Sequence, residues 1–131
     1  MQGQLIVCGN CEAPVITGDF FIEQVSGVKI NICGLGFFEL YLNGKKVSED
    51  IFVPVWSDYD SRTGQRLKYP INDERSCQTY YCTYDIQKYL VSGKNTMEVL
   101  LGNGWYNQYE RMAEGEMWYI LYRYVCIWLL E

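Results

Sequence analysis

The fold of this chain is decided by the stretch Gly34-Leu-Gly-Phe-Phe-Glu-Leu-Tyr-Leu-Asn-Gly-Lys-Lys-Val47. Within it, Phe38, Leu40 and Leu42 occupy every second position, which is typical of a β-strand with one buried face. The pair Asn43-Gly44 follows at once and supplies the two positive φ angles that a type I′ turn needs. The stretch therefore predicts a β-hairpin, and with it a β architecture.

The same alternation recurs along the chain at Val28–Ile32 and at Met97–Leu101. Together with the apolar runs between turn residues, it predicts seven or eight short strands. We expect residues 51–59 to form an edge strand that enters a loop, since Pro54 is unsuited to a central strand. Residues 92–95 are interpreted as a tight turn.

One short helical turn is predicted at residues 86–90, with Asp85 as its cap. Many short strands with a single helical turn indicate an all-β fold, an antiparallel β-sandwich. The length of 131 residues fits one domain spanning residues 1–131.

The composition excludes several classes of function. The net charge is −5 and no basic stripe is present, so binding to nucleic acid through phosphate neutralisation is not expected. The chain has no histidine, which removes His-dependent nucleophiles and His metal ligands. The apolar run at 118–130 is too short to span a bilayer, so no membrane partner is expected.

The six cysteines are spread along the chain, unlike those of a small disulfide-rich secreted domain. Cys33 and Cys82 lie in strand patterns and are interpreted as small buried hydrophobic residues. Cys8 and Cys11 have the spacing of a zinc ligand pair, but a second close pair is lacking. Reduced thiols and the absence of a visible signal peptide favour a cytoplasmic location.

Four motifs occur in order along the chain: Gly36-Phe-Phe-Glu-Leu-Tyr-Leu-Asn-Gly-Lys-Lys-Val47, Pro54-Val-Trp-Ser-Asp-Tyr59, Thr83-Tyr-Asp-Ile86, and Gly93-Lys-Asn95 leading to Val99-Leu-Leu-Gly-Asn-Gly-Trp-Tyr106. Together they resemble the N-terminal β-sandwich domain of bacterial α-L-rhamnosidases. The resemblance is strongest over residues 28–109. It departs from the family pattern at Val55 and Ser57, where glycine and threonine are usual.

The resemblance implies a jelly roll like that of galactose-binding domains, and a fragment of a longer glycoside hydrolase that cleaves α-L-rhamnosides with inversion. In that family the catalytic carboxylates lie in a separate α/α barrel downstream. This chain alone is therefore not expected to be an enzyme and has no predicted catalytic residue. The implied partners are a rhamnose-containing saccharide and the α/α-barrel catalytic domain of the parent chain.

Two aromatic segments are the candidate carbohydrate-binding sites, because a sugar packs its C–H face on an aromatic ring while nearby polar groups fix its hydroxyls. The first choices are Trp105, Tyr106 and Asn103, and the second choices are Trp56, Asp58 and Tyr59. In the alternative interpretation, the aromatic rings close the end of the sandwich or dock on the catalytic domain. Asp58 would then cap a turn.

No cofactor is predicted, although an irregular calcium site at Asp58 or Asp60 stays open. The dense carboxylates Glu110, Glu114 and Glu116 are interpreted as a solvated loop. Three functions remain: a rhamnoside-recognition domain, a structural spacer that packs on the catalytic domain, and an independent lectin-like module.

Overall fold

The computed structural model describes residues 4–8, 14–55, 79–102 and 124–130. These residues form eight strands and one short 3₁₀ helix, Gln87–Tyr89. The strands are β1 Gln4–Cys8, β2 Val15–Ile22, β3 Lys29–Leu35, β4 Phe37–Leu42, β5 Lys45–Lys46, β6 Cys82–Asp85, β7 Gly93–Gly102 and β8 Tyr124–Leu130.

The strands form two four-stranded sheets, and every pairing within them is antiparallel. The first sheet has the order β1-β8-β3-β6, and the second sheet has the order β2-β7-β4-β5. Successive strands mostly alternate between the sheets, which is the strand order of an eight-stranded jelly roll. The predicted all-β sandwich is therefore confirmed.

The core lies between the two sheets and is built from the inward-facing positions of strands on both sides. Ile30 and Ile32 of β3 come from the first sheet and are fully buried. The second sheet contributes alternate residues of β4 and β7, namely Phe38, Leu40, Leu42, Met97, Val99 and Leu101. The period of two that marked these segments in the sequence is thus the burial pattern of the fold.

Two tight connections determine how β4 is placed. Asn43 and Gly44 have φ angles of 50° and 76°, so the β4–β5 hairpin turns through two positive-φ residues as predicted. At the other end of β4, the single residue Gly36 separates it from β3, which lies in the opposite sheet. Gly36 has a φ of 125°, a conformation that side-chain-bearing residues rarely adopt.

Two sequence-based assignments of secondary structure were wrong. Residues 51–55 are not a strand, although the Phe38 N–H donates to the Val53 carbonyl at 3.1 Å. Residues 93–95 belong to β7 and are not part of a tight turn.

The predicted helical turn is present as the 3₁₀ helix. The expected cap at Asp85 was wrong by one residue: Ile86 holds the N-cap position, and the Asp85 carboxylate, one residue earlier, accepts from the Gln87 N–H at 3.1 Å. Within the described segments of the chain, no helix is long and apolar enough to cross a membrane.

Candidate functional site

The six candidate sugar-binding residues all lie outside the described residues. Trp56, Asp58 and Tyr59 follow Val55, where the described segment 14–55 ends. Asn103, Trp105 and Tyr106 follow Gly102, where β7 ends. Their assignment as contact residues therefore stays a prediction, but the structure describes the residues from which both segments depart.

Both points of departure lie at the beginning of β4. Gly102 pairs with Phe37 across the β4–β7 ladder. On the other side of β4, the Val53 carbonyl accepts a hydrogen bond from the Phe38 N–H at 3.1 Å. Since neighbouring strands are about 5 Å apart, the two backbones flank β4 at a separation of roughly 10 Å. The sheet therefore holds Gly102 and Val53, which lie shortly before the two aromatic segments in the sequence, at one end of the sandwich.

The segment that leads to Trp56 exposes apolar side chains. Ile51, Phe52 and Val55 are 68%, 70% and 70% exposed. Phe52 also has a φ of 57°, which is costly for a bulky residue, and its ring packs edge-on against Phe37 at a centroid distance of 5.3 Å. Strained residues of this kind concentrate at functional sites.

A small recess lies beside this segment, between the two sheets. It is lined by Phe38, Glu39, Leu40, Ser48, Asp50, Val53 and Tyr84. Its volume of ≈ 10 Å³ gives room for about one water molecule, far less than a sugar needs. The Tyr84 hydroxyl donates to the Asp50 carboxylate across 3.4 Å, and burial raises the pKa of Tyr84 above its ordinary value. The recess is therefore too small to be a ligand cavity, and its polar contact is the hydrogen bond between Tyr84 and Asp50.

The outer surface of the second sheet carries a cluster of linked polar side chains. The carboxylate of Glu39 accepts from the Lys46 ammonium at 2.8 Å and from the Tyr41 hydroxyl at 2.7 Å. The Lys46 bond, followed by the Tyr41 bond, lowers the pKa of Glu39. The hydrogen bond that Tyr41 donates to Glu39 raises the pKa of Tyr41, and the bond that Lys46 donates to Glu39 raises the pKa of Lys46. Glu39 is therefore held ionised at neutral pH and is unsuited to act as a general acid.

Two of the motifs behind the family resemblance have a structural role in this fold. The Asn43 side-chain amide donates to the Tyr89 carbonyl at 2.9 Å and to the Asn95 side-chain oxygen at 2.8 Å. Asn95 is only 1% exposed, and its amide donates to the carbonyls of Val91 and Gly93. These bonds tie the β4–β5 hairpin to the beginning of β7. The Asn-Gly and Gly-Lys-Asn motifs thus stabilise the second sheet by hydrogen bonds between the β4–β5 hairpin and β7.

The two described thiols, Cys33 and Cys82, are free; Cys33 is buried as predicted, whereas Cys82 is only half-buried. Burial, followed by the proximity of Cys82, raises the pKa of Cys33 to about 11. Burial also raises the pKa of Cys82. Within residues 4–8, 14–55, 79–102 and 124–130, no group of three or more Asp, Glu, Cys or His side chains is placed to hold a metal ion.

Sequence reasoning missed two polar groups near the candidate end of the sandwich. Ser48 and Asp50 line the recess, and nothing in the local pattern distinguishes them from ordinary turn residues. Tyr84 lies within the Thr83–Ile86 motif, which the sequence did single out. The sequence motif therefore pointed to Tyr84, but no motif pointed to Asp50, which accepts a hydrogen bond from the Tyr84 hydroxyl.

Comparison with known proteins gives the family. A model described as the alpha-L-rhamnosidase N-terminal domain matches residues 23–127. An alpha-L-rhamnosidase of Formosa agariphila is 37% identical over 86 residues, covering 66% of this chain and 7% of that protein. A second, from Streptomyces avermitilis, is 29% identical over 84 residues and is likewise covered over 7% of its length. The chain thus spans less than a tenth of the curated relatives it matches.

Solved structures share the fold. The alpha-L-rhamnosidase of Aspergillus terreus superimposes with a TM-score of 0.67 at 19% identity, over 95% of this chain and 14% of that one. The Streptomyces avermitilis enzyme complexed with L-rhamnose gives 0.63 at 22% identity, over 93% and 10%. Because the family model covers most of the sequence, this chain belongs to the alpha-L-rhamnosidase N-terminal domain family.

Proposed function

We propose that this domain recognises rhamnosides for a parent α-L-rhamnosidase and does not itself cleave them. The aromatic segments 56–59 and 103–106 would hold the sugar, with Trp105 and Trp56 as stacking surfaces and Asn103 and Asp58 as hydroxyl partners. The parent would supply the catalytic carboxylates from a separate domain.

The observation that carries this proposal is the common origin of the two segments. Gly102, the described residue before segment 103–106, pairs with Phe37, and Val53, close to the end of the described segment 14–55, is hydrogen-bonded to Phe38 at the same end of the second sheet. Aromatic rings that leave neighbouring points of a rigid sheet can act on one ligand. The relatives named above are alpha-L-rhamnosidases, and one was solved with L-rhamnose. Rhamnose is therefore the first sugar to test.

The test is a calorimetric titration of the 131-residue chain with L-rhamnose and a methyl α-L-rhamnoside, with D-glucose as the control sugar. We expect weak binding of the rhamnosides. The variants Trp105→Ala and Trp56→Ala should weaken it by about tenfold, which corresponds to ~1.4 kcal/mol of binding free energy. Tyr81→Ala is the matched control, because Tyr81 is an aromatic residue that is 64% exposed and lies outside both segments.

Unchanged affinity in both tryptophan variants would refute the assignment of these residues, and no heat with any rhamnoside would refute sugar recognition by the domain. In the full-length parent, the same variants should raise KM and leave kcat nearly unchanged. That split is expected because the residues act in binding rather than in bond cleavage.

A structural spacer is the second candidate function, and the exposed side chains of Ile51, Phe52 and Val55 favour it. An apolar segment of this kind can dock on a neighbouring domain. If this role is the correct one, Phe52→Ser should lower the thermal stability of the full-length parent more than that of the 131-residue chain, and rhamnose should bind neither the isolated chain nor its variants.

A further inference from the structure

Strand β2 is an unusually open edge. It lies at one end of the second sheet and, within the described part of the chain, pairs only with β7. It is eight residues long, whereas β5 at the other end of the same sheet has two residues, both lysine. Short, charged edges resist pairing with other chains, and long edges with few charges invite it.

The free backbone groups of β2 can be assigned from one hydrogen bond. The Leu101 N–H donates to the Pro14 carbonyl at 3.0 Å, so residue 14 directs its polar groups towards β7. In an antiparallel ladder the direction alternates from residue to residue. The N–H and C=O groups of residues 15, 17, 19 and 21 therefore point away from β7, towards the open edge.

We propose that β2 pairs antiparallel with β2 of a second copy of this chain, centred on Gly18. The two second sheets would then join across a two-fold axis into one continuous eight-stranded sheet. In this register the open-edge pairs are Val15 with Phe21 and Thr17 with Asp19. Each pair occurs twice because of the symmetry, as expected for an isologous contact.

The side chains of β2 are self-complementary in this register. On the outer surface, Val15 and Phe21 are 56% and 77% exposed in the single chain, and each would gain an apolar partner. On the inner surface, Ile16 would face Phe20, and both already pack at the margin of the core. Gly18 would face itself, where the absence of a side chain allows close approach.

The charge of Asp19 favours the register centred on Gly18 over the register centred on Asp19. Asp19 is the only charged residue of β2 and is bound to the Lys94 ammonium at 2.8 Å and the Thr96 hydroxyl at 2.7 Å. Moving the centre of pairing from Gly18 to Asp19 would set two carboxylates directly opposite each other, which destabilises a strand pair. With the centre at Gly18, each carboxylate faces a threonine hydroxyl, which can donate a hydrogen bond to it.

Sedimentation velocity of the 131-residue chain over a concentration series tests the proposal. We expect a reversible monomer–dimer equilibrium at submillimolar concentration. Thr17→Pro removes an N–H that points to the open edge and leaves the ladder with β7 intact, so the dimer should be lost while the melting transition persists. Phe21→Lys should also abolish the dimer. Val91→Lys is the matched control, because Val91 is 55% exposed and lies outside β2.

A thiol cross-link tests the register itself. A Cβ added at Gly18 meets nothing within 4 Å, so Gly18→Cys fits the single chain. Mild oxidation should then yield a covalent dimer joined through position 18, identified by peptide mapping, whereas Thr17→Cys should not yield a link through position 17. A monomer at every concentration, or a dimer that survives both Thr17→Pro and Phe21→Lys, would overturn the proposal. A dimer without the link at position 18 would overturn the register.

Discussion

Asn95 shows how one buried polar residue can organise several backbone segments. It is 1% exposed, and its side chain accepts from the Val91 N–H at 2.9 Å while donating to the carbonyls of Val91 and Gly93. It also accepts from the Asn43 amide. Every polar atom of the side chain is therefore used, as buried polar groups require.

Asn95→Ala should strongly destabilise the domain, because it removes from a partly buried network the side-chain bonds that hold Asn43 and the backbone of Val91 and Gly93. We expect a loss of roughly 2–4 kcal/mol in the free energy of unfolding, measured by urea denaturation. Lys94→Ala is the control, since it removes only a solvent-exposed ion pair and should have a much smaller effect. Equal effects of the two variants would contradict the role given to Asn95.

Cys33 should be chemically inert at neutral pH. Burial raises its pKa to about 11, and the thiolate is the reactive form. We expect iodoacetamide at pH 8 to leave Cys33 unmodified in the folded chain and to modify it rapidly in urea, as measured by peptide mass mapping. Rapid labelling of the native protein would show that this strand opens readily.

The shifted pKa of Cys33 also makes stability depend on pH. The folded-state pKa lies above the ordinary value of 9.0, so the folded chain holds its proton more tightly than the unfolded chain. This contribution is complete below pH 9 and is lost as the pH rises from 9 towards 11. The urea midpoint should therefore fall over that interval, and it should fall less steeply in Cys33→Ala.

At the scale of the element, the β4–β5 hairpin depends on backbone conformation as much as on its side chains. Gly44 has a φ of 76°, which an L-residue adopts only at a cost. Asn43, at a φ of 50°, offsets its own cost with side-chain bonds to Tyr89, Asn95 and the Thr96 N–H.

Gly44→Ala should reduce the free energy of unfolding by about 1–2 kcal/mol, because it places a Cβ in the left-handed region. Gly18→Ala provides a matched control in which the same methyl group is added to β2, where no positive φ occurs and nothing lies within 4 Å. The control should be neutral or slightly stabilising, since alanine loses less backbone entropy on folding. Thermal melting at low protein concentration distinguishes the two.

The sequence predicted the elements whose side chains alternate and missed those set by distant contacts. Residues 37–44 were correct because the period of two and the Asn-Gly pair are local signals. Residues 93–95 were interpreted as a turn because Gly-Lys-Asn is turn-like, and only the fold shows that Asn95 is buried inside β7. The apolar character of residues 51–55 was taken for strand propensity, yet three of these side chains, Ile51, Phe52 and Val55, are exposed beside β4.

At the scale of the whole molecule, the two-layer arrangement gives neighbouring residues opposite roles. Leu101 is 2% exposed and faces the first sheet, while Leu100 faces outward between Val15 and Glu39. The same substitution at these two positions therefore compares the core with the outer surface.

Leu101→Ala should reduce the free energy of unfolding by about 2–5 kcal/mol, because it leaves a cavity between the sheets. Leu100→Ala removes the same atoms from a half-buried surface and should have a clearly smaller effect. Urea denaturation of both variants provides the measurement. Similar losses would mean that the outer surface of the second sheet is covered as tightly as the core.

The jelly-roll topology could be inferred from the sequence only through family resemblance. Alternation places a residue on a face but does not show which strand lies beside which, and the pairing of β1 with β8 joins residues from the two ends of this sequence. The candidate site was inferred from the same resemblance and from the aromatic residues themselves. Its residues, Trp56 and Trp105 among them, remain predictions.

The position of β8 between β1 and β3 has a consequence for how a ribosome-bound chain matures. All four strands of the second sheet have been made once residue 102 has been translated. The first sheet, however, lacks β8, one of its two inner strands, until residue 130 has been translated. We therefore expect a nascent chain to carry an assembled second sheet whose apolar inner face is incompletely covered, because β1 can join the first sheet only after β8 has been made. Chaperone engagement should be strongest in that interval.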